Sequence, residues 1–302
     1  MLVIVNPYAS TVSDRLKNLV VYALRGSYHV DAIDTEARDH ATELCREAAD
    51  AGYDVVVAFG GDGTVNEAAN GLIGSSTALT CLPGGRANVY CRMLGIPVDV
   101  VDATEHLLRL ADDWQPRRVD TGIINDRHFV FSAGVGLDAS VVRRVDAHPR
   151  LKARLGEWYY GWVGVCTFNR HYLVHPPRLE TEIGGETVPG VLTIVQNAEP
   201  YTYFGNRPVN IGDGATLDSG DLAGVVLRRA RPLDMATVTW RMLSSRARLA
   251  RHRHVHAFAG AHELRVRSTD GRPLPLQVDG DYIGTADEVQ FSVAPRSLCV
   301  VA

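Results

Sequence analysis

The feature that most constrains this chain is an apolar run that leads directly into a glycine-rich turn and then into a helical pattern. The run Val55-Val56-Val57-Ala58 is apolar on both faces, which is typical of a strand buried within a parallel sheet. The turn Gly60-Gly61-Asp62-Gly63-Thr64 follows at once, and apolar residues then recur at helical spacing from Val65. A strand, a turn and a helix in this order favour an open α/β sheet, which binds ligands at the carboxyl ends of its strands.

The composition of this turn suits a phosphate group. Glycines let backbone N–H groups approach a ligand, and the start of the following helix carries partial positive charge. Thr64 and Glu67 have the spacing of a capping box, so we expect Thr64 to cap this helix. Asp62 is unusual here, because a phosphate repels a carboxylate unless a cation lies between them. We interpret Asp62 as a magnesium-mediated contact; the alternative is a turn that uses the residue only for local hydrogen bonds.

Strand and helix patterns alternate over the first third of the chain and predict a Rossmann-like domain with a parallel sheet. The predicted strands are 2–5, 28–33, 55–59 and 79–82, and the predicted helices are 13–24, 41–51, one from Val65, 88–94 and 103–111. After Pro116, short apolar runs separated by Gly, Pro and Asp predict a C-terminal antiparallel β-sandwich domain. Two helices, at about 149–169 and 232–250, are expected to interrupt it.

The composition is that of an ordinary globular protein, with 46% hydrophobic and 22% charged residues. The formal net charge of −4 gives no general attraction to nucleic acid, so we expect no nucleic-acid partner. The five cysteines form no CxxC pair and predict buried, reduced thiols. Without a signal sequence or a long apolar stretch, the chain is expected to be cytoplasmic, or peripheral at the inner membrane face.

Five short motifs occur in a fixed order along the chain. They are Asn6-Pro7, residues 60–72, residues 82–97, residues 132–139 and Val278-Asp279-Gly280-Asp281. Together they resemble the diacylglycerol kinase catalytic-domain family of bacterial lipid kinases and sphingosine kinases. The glycine turn is also similar to that of NAD kinases and phosphofructokinases, which form a wider superfamily.

The resemblance implies an ATP-dependent kinase that uses Mg²⁺ and transfers the γ-phosphoryl group to a hydroxyl of diacylglycerol or a related lipid. It implies a nucleotide-binding domain over residues 1–120, to which residues 287–302 return, and a β-rich lipid or substrate domain over 121–286. The active site would lie between the two domains. A homodimer is also an open option.

The resemblance also implies individual roles for site residues. Those expected around the nucleotide are Asn6, Thr35, Gly61, Asp62, Gly63, Thr64, Glu67, Gly85, Arg86 and Asn88. Asp281 takes the place of a general base, Asp62 and Asp279 those of carboxylates near the catalytic metal, and Asp218 belongs to a structural magnesium segment. From the residues alone, Thr35 could instead cap a helix, and Asp279-Gly280 could simply form a hairpin turn.

Four residues depart from the family pattern. Arg86 replaces the usual threonine of its loop, and Val89 stands where many members carry an aspartate. Asp281 is shorter than the family's glutamate, and Ser219 replaces a second aspartate beside Asp218, which weakens that metal segment. Two other functions therefore stay open, a kinase of a non-lipid alcohol and a catalytically silent nucleotide-binding regulator.

The guanidinium of Arg86 could bind a phosphate or pair with a nearby carboxylate such as Asp62, and we favour the phosphate. A dense basic run occurs late in the chain and comprises Arg241, Arg246, Arg248, Arg251, His252, Arg253, His254 and His256. We interpret the run as a solvated helix face, with contact to anionic lipid headgroups as the alternative. An aromatic cluster at Trp158, Tyr159, Tyr160 and Trp162 is more typical of a core than of a membrane anchor.

Overall fold

The computed structural model describes residues 1–111, 113–146, 178–244 and 247–302. These residues form two compact units. The first consists of Met1–Thr121 together with Pro295–Ala302, and the second of Gly122–Ala294.

The first unit is built from alternating strands and helices. Its elements are β1 (Leu2–Val5), α1 (Asp14–Leu24), β2 (Asp31–Asp34), α2 (His40–Asp50), β3 (Val55–Gly60), α3 (Asp62–Leu72), β4 (Ala78–Pro83), α4 (Val89–Met93) and α5 (Val100–Leu110). The strands pair in parallel in the order β2-β1-β3-β4. Beyond β4, Val300 pairs in parallel with Leu79, so the end of the chain extends this sheet. The parallel sheet predicted from the sequence is confirmed.

Burial in the first unit follows the hydrophobic pattern. Every residue of β1, β3 and β4 is buried, as expected of strands covered on both faces. Ser13 caps α1 by accepting a hydrogen bond from the Leu16 N–H. The strand predicted at 28–33 instead begins at Asp31, because the backbone N–H of Tyr28 still donates to the carbonyl of Leu24 and closes the end of α1.

The second unit is dominated by antiparallel strands. Its elements, some of which begin or end in the first unit, are β5 (Arg117–Ile124), β6 (Arg127–Phe129), β7 (Ser132–Gly136), α6 (Leu137–Asp146), β8 (Leu179–Ile183), β9 (Glu186–Gly190), β10 (Leu192–Gln196), β11 (Thr202–Phe204), β12 (Arg207–Val209), β13 (Leu222–Leu227), α7 (Pro232–Leu243), β14 (Val255–Ala261), β15 (Glu263–Ser268), β16 (Leu274–Val278), β17 (Asp281–Ala286) and β18 (Glu288–Val300). One antiparallel sheet has the order β14-β13-β10-β7-β16-β17. Opposite it, β9, β8 and β15 pair in sequence, and β15 pairs with residues 288–292 of β18.

Inward-facing side chains of both sheets share one core, which includes Phe129, Val135, Val266, Leu276 and Phe291. The rings of Phe129 and Phe291 meet edge to face, with centroids 6.3 Å apart. Two sheets closed over a common apolar layer form a sandwich. The predicted antiparallel second domain is therefore confirmed.

Two helix predictions in this unit had different outcomes. The helix predicted over 232–250 ends at Leu243, and Leu249–Arg251 form a separate 3₁₀ turn. The helix predicted at 149–169 and the aromatic cluster at 158–162 lie outside the described residues.

The cysteines of the described residues are buried thiols, as predicted, namely Cys45, Cys81, Cys91 and Cys299; Cys166 lies outside this part of the chain. Burial, and then the nearby carboxylate of Glu67, raise the pKa of Cys45 to about 12. Within the described ranges, no helix combines the length and the apolar character needed to cross a bilayer.

Candidate functional site

Two glycine turns pack against each other at the carboxyl edge of the parallel sheet. Gly60 ends β3 and Gly61 follows it, whereas Gly84 and Gly85 follow β4. The Gly84 N–H donates to the Gly60 carbonyl at 2.8 Å. A Cβ on Gly84 would lie 2.8 Å from the Gly60 Cα, and one on Gly85 would lie 2.8 Å from the Gly61 Cα. Both positions therefore need glycine because the two backbones touch. This edge is where parallel sheets place ligands.

Helix α3 begins inside the first glycine turn. Its first residue is Asp62, and no side chain caps it at Gly61. The capping-box prediction for Thr64 and Glu67 is therefore wrong, because the helix starts two residues before Thr64 and both side chains lie within it. Glu67 acts on a different helix, since its Oε2 accepts a hydrogen bond from the Ala41 N–H in the first turn of α2 at 3.3 Å. The N-terminal end of α3 is thus formed by glycine backbone.

Asn6 and Thr35 lie at the ends of the neighbouring strands β1 and β2. The Asn6 Nδ2 donates to the Thr64 Oγ1 at 3.0 Å, which joins the end of β1 to the first turn of α3. The Thr35 N–H donates to the Val5 carbonyl at 2.8 Å, and Thr35 is buried. The N-cap of α2 is Asp39, so Thr35 does not cap that helix. Asn6, Thr35 and Thr64 therefore line the same edge of the sheet.

The second glycine turn is closed by an asparagine in the left-handed conformation. Asn88 has φ +45°, and its amide both accepts from the Gly85 N–H and donates to the Gly85 carbonyl, each at 2.9 Å. Asp62 Oδ1 accepts from the Tyr90 N–H at 3.1 Å, so this carboxylate links the first turn to the start of α4. This hydrogen bond joins two segments 28 residues apart in sequence, so it differs from the local turn bonding considered as the alternative for Asp62. Arg86 is exposed within the second turn.

Asp279 and Gly280 form the two-residue turn of the β16–β17 hairpin. Val278 pairs directly with Asp281 across it, and both turn residues have positive φ, +47° and +84°, as in a type I′ turn. The hairpin alternative considered from the sequence is thus correct for the backbone. Asp281 is partly exposed at the first position of β17, whereas Asp279 is 3% exposed.

The Asp279 carboxylate holds the segment that joins β6 to β7. Oδ2 accepts from the Val130 N–H at 2.8 Å, and Oδ1 accepts from the N–H groups of Phe131 and Ser132, each at 3.0 Å. The same segment is held from its other side by Asn197, whose side chain donates to the Val130 carbonyl at 3.1 Å. Sequence reasoning missed Asn197, although its position after the apolar run of β10 was a signal.

Asp218 lies in an exposed turn of the second unit. Its Oδ1 accepts from the Thr216 hydroxyl at 2.9 Å, and the Ser219 hydroxyl donates to the Thr216 carbonyl at 3.1 Å. Ser219, which stands where the resembled family has an aspartate, thus closes the turn together with Asp218. The described residues contain no group of three or more His, Cys, Asp or Glu side chains arranged to hold a metal.

The structure therefore brings most of the predicted nucleotide residues to one edge of the first unit. These are Asn6, Thr35, Gly61, Asp62, Gly63, Thr64, Gly85, Arg86 and Asn88. Glu67 is the exception, because its carboxylate reaches the start of α2. Asp279 and Asp281 share a hairpin of the second unit, and Asp218 lies in a different loop of that unit.

The chain is similar in sequence and in fold to known proteins. Residues 1–122 match the family model described as diacylglycerol kinase catalytic domain. The diacylglycerol kinase of Bacillus subtilis strain 168 is 26% identical over 86% of this chain and 82% of its own length. A Chromohalobacter salexigens protein named probable lipid kinase YegS-like is 38% identical over 51% of this chain and 49% of its own length.

Coverage differs among the relatives. An uncharacterized protein of Synechocystis is 28% identical over 83% of this chain, which spans only 55% of that relative's length. A crystal structure of a diacylglycerol kinase from Bacillus anthracis str. Sterne matches 99% of this chain and 95% of its own with a TM-score of 0.72 at 19% identity, which shows a shared fold. Residues 1–122 are therefore similar to the diacylglycerol kinase catalytic domain, and the relatives that are named kinases support a kinase enzyme.

Proposed function

We propose that the protein is an ATP-dependent lipid kinase that transfers the γ-phosphoryl group to a hydroxyl of diacylglycerol or a related lipid. The observation that carries this proposal is the pair of contacting glycine turns, Gly60-Gly61 and Gly84-Gly85, beside the start of α3. Backbone N–H groups and the partial positive charge of a helix start suit the phosphates of a nucleotide. The kinase names of the relatives support the reaction class.

The phosphates would be bound mainly by backbone N–H groups and by the guanidinium of Arg86. A side chain at Gly84 or Gly85 would collide with the opposite turn, so the two turns can keep their spacing only with glycine there. Arg86 supplies an exposed guanidinium at the tip of the second turn, where it could bind two phosphate oxygens. The Asn6–Thr64 hydrogen bond fixes the first turn of α3 against β1.

Asp62 fits a magnesium ion that arrives with the nucleotide. Mg²⁺ commonly takes one or two carboxylates, and substrate phosphates and waters complete its shell. Asp62 is partly exposed at the phosphate edge and belongs to no cluster of three acidic, His or Cys side chains within the described residues. When bound, such an ion would neutralise charge on the transferring phosphoryl group.

The other two predicted metal carboxylates fit a cation less well. The Asp279 carboxylate accepts three backbone N–H bonds with its two oxygens, and a metal ligand at this position would have to give some of them up. Asp218 is exposed and bonded to a hydroxyl of its own turn. Metal roles for these two residues stay predictions.

Asp281 is the carboxylate that we propose as the general base for the acceptor hydroxyl. The type I′ turn directs Asp279 into the interior and leaves Asp281 partly exposed on β17, so only Asp281 can meet an acceptor without a change in the fold. Its side chain is one methylene shorter than the glutamate of the family. An acceptor would therefore have to approach the backbone of β17 more closely.

Turnover of radiolabelled ATP tests this function against its alternatives. The protein is incubated with ATP and Mg²⁺ and with diacylglycerol, sphingosine, ceramide or soluble alcohols such as glycerol, and the labelled product is separated by solubility. Label in an organic-phase product is expected. Label only in soluble products would indicate a kinase of non-lipid alcohols, and nucleotide binding without transfer to any acceptor would indicate a silent regulator.

A further inference from the structure

The surface around helix α7 is rich in arginine. Residues 228–256 contain eight arginines and one carboxylate, Asp234, in a chain whose formal net charge is −4. Asp234 is buried, and Arg229 Nε and Arg253 Nη2 lie 3.0 and 3.4 Å from its oxygens. The carboxylate of Asp234 is therefore buried and already paired with arginines of the same segment.

Several contacts join these arginines into one patch. The Arg228 N–H donates to the carbonyl of His254 at 2.9 Å, which places the residues before α7 beside those of β14. Arg241, near the end of α7, donates through Nη1 to the Arg248 carbonyl at 3.0 Å. We call the exposed members the arginine surface, which consists of Arg228, Arg231, Arg248, Arg251 and Arg253.

Of the five arginines of the arginine surface, only Arg248 and Arg253 form ion pairs within the described residues, and Arg253 shares its partner Asp234 with Arg229. Arg248 lies 3.2 Å from Asp213, in an exposed pair that contributes little. Arg231 and Arg251 form no ion pair within the described part of the chain. A local cationic patch acts over about one Debye length, roughly 8–10 Å, so the net negative charge of the chain does not cancel it.

An exposed tryptophan lies on helix α7. Helix α7 packs Met235, Val238 and Met242 against the core of the second unit. Trp240 is on the other face, and 62% of it is exposed. A large ring with a single N–H donor is favoured at the boundary between lipid and water, particularly beside cations that contact headgroups.

We propose that α7 and the arginine surface dock the second unit onto an anionic lipid bilayer, with Trp240 among the headgroups. Charge complementarity and the exposed ring support a bilayer, and the choice of a bilayer over other anionic partners rests on the proposed lipid acceptor. The basic run that we interpreted from sequence as a solvated face would then be a docking face.

Vesicle sedimentation tests this surface directly, without any kinase reaction. The intact protein is spun with vesicles of equal parts phosphatidylglycerol and phosphatidylcholine, or of phosphatidylcholine alone. We expect binding to the anionic vesicles only, weakened by salt. Trp240→Ala should weaken binding roughly tenfold, since a mostly exposed ring loses its burial in lipid. Arg231→Gln and Arg251→Gln should each weaken it about fivefold.

Matched controls lie in the first unit. Arg15→Gln and Arg46→Gln remove exposed helical arginines, and Trp114→Ala removes a tryptophan that is 38% exposed. None of these should change vesicle binding. Thermal unfolding of each variant, followed by circular dichroism, verifies that the Trp240, Arg231 and Arg251 substitutions leave the fold intact. The two arginine variants keep the test usable if Trp240→Ala unfolds.

The outcomes separate this surface from the proposed function. Equal vesicle binding by the wild type and by the Trp240, Arg231 and Arg251 variants, or equal binding of the wild type to both vesicle types, would overturn the proposed docking surface. If ultracentrifugation without vesicles showed a wild-type dimer that Trp240→Ala loses, the surface would be a self-association face instead. If single-stranded DNA displaced the protein from vesicles but salt at the same concentration of charge did not, the surface would be a nucleic-acid-binding face. Vesicle binding by a protein that phosphorylates no detergent-solubilised lipid would leave the surface standing and overturn the kinase.

Discussion

Asp62 is the residue on which the proposed phosphoryl transfer most directly depends. Asp62→Asn keeps an oxygen that can accept the Tyr90 N–H bond, so the fold should persist. It removes the negative charge that we assign to magnesium, and we expect turnover to fall by at least about a hundredfold. Steady-state ATP turnover measures this, with the exposed Asp14→Asn as the control. Unchanged turnover would refute the assignment.

Asp281 should affect the rate more than nucleotide binding. For Asp281→Ala we expect the kcat to fall by about 10²–10⁴, with little change in the KM for ATP, because a general base acts mainly in the transition state. Asp281→Glu should retain more activity by restoring a longer reach. The exposed Asp287→Ala is the control. If Asp281→Ala weakened only ATP affinity, the residue would be a nucleotide contact.

Arg86 should affect affinity for ATP. A charge-assisted contact contributes about 1.5–3 kcal/mol, so Arg86→Ala should weaken ATP binding by roughly ten- to a hundredfold. Arg86→Thr should do less harm, because it restores the hydroxyl of the family. Calorimetric titration with ATP and magnesium measures both, with the exposed Arg25→Ala for comparison. Equal affinities for wild type and Arg86→Ala would place the guanidinium away from the phosphates.

At the scale of elements, the β16–β17 hairpin and the β6–β7 connection are joined by one buried side chain. Asp279→Ala would leave three buried N–H donors without their acceptor, and we expect it to lower the free energy of unfolding by about 3–5 kcal/mol. Asp279→Asn, which tolerates positive φ and keeps one acceptor oxygen, should cost less. Urea unfolding of the two variants measures this. Full stability together with lost activity in Asp279→Asn would favour the metal role instead.

The pattern of elements that could be predicted has a physical basis. Buried parallel strands such as β3 are continuous apolar runs, so they were visible in sequence. Strands such as β9, with a proline, and β17, which is partly exposed, lack that signal and were missed. Helix α3 was predicted, but its first residue was not. The prediction assigned Glu67 to a capping box, whereas its carboxylate accepts a hydrogen bond from the Ala41 N–H of α2, a contact that depends on tertiary packing.

The candidate site, like the set of strands and helices, could be predicted only in part from the sequence. Glycines at strand ends predicted a phosphate-binding turn, and the structure gathers these glycines at the carboxyl edge of the parallel sheet. The sequence could not reveal that Gly84 and Gly85 are needed for contact with Gly60 and Gly61, since this requires β3 and β4 to be neighbours. Nor could it show that the Asp279 carboxylate turns inward while Asp281 stays at the surface.

At the scale of the whole molecule, the first unit depends on residues from the other end of the chain. Leu298, Val300 and Val301 are at most 1% exposed, the Gly74 N–H donates to the Ser297 carbonyl at 2.8 Å, and the Arg296 N–H donates to Asp120 Oδ1 at 2.7 Å.

We therefore expect a fragment of residues 1–121 to be largely unfolded. Loss of these buried side chains removes about 5–9 kcal/mol, which is comparable to the whole stability of a typical domain. Joining residues 295–302 to this fragment through a flexible glycine-serine linker should restore folding. Circular dichroism and thermal melting of the two fragments measure this, and a cooperative transition in the short fragment at the same temperature as in the joined one would contradict it.

The returning segment also sets an order of events on the ribosome. Residues 1–121 leave the exit tunnel long before residue 295 is translated, since the entire second unit is made in between. During that interval β4 has no partner on the side where Val300 later pairs, and an unpaired strand edge invites contact with other nascent chains. The first unit would thus complete its sheet only after the second has been synthesised, and this waiting time is the period in which molecular chaperones would matter most for its yield.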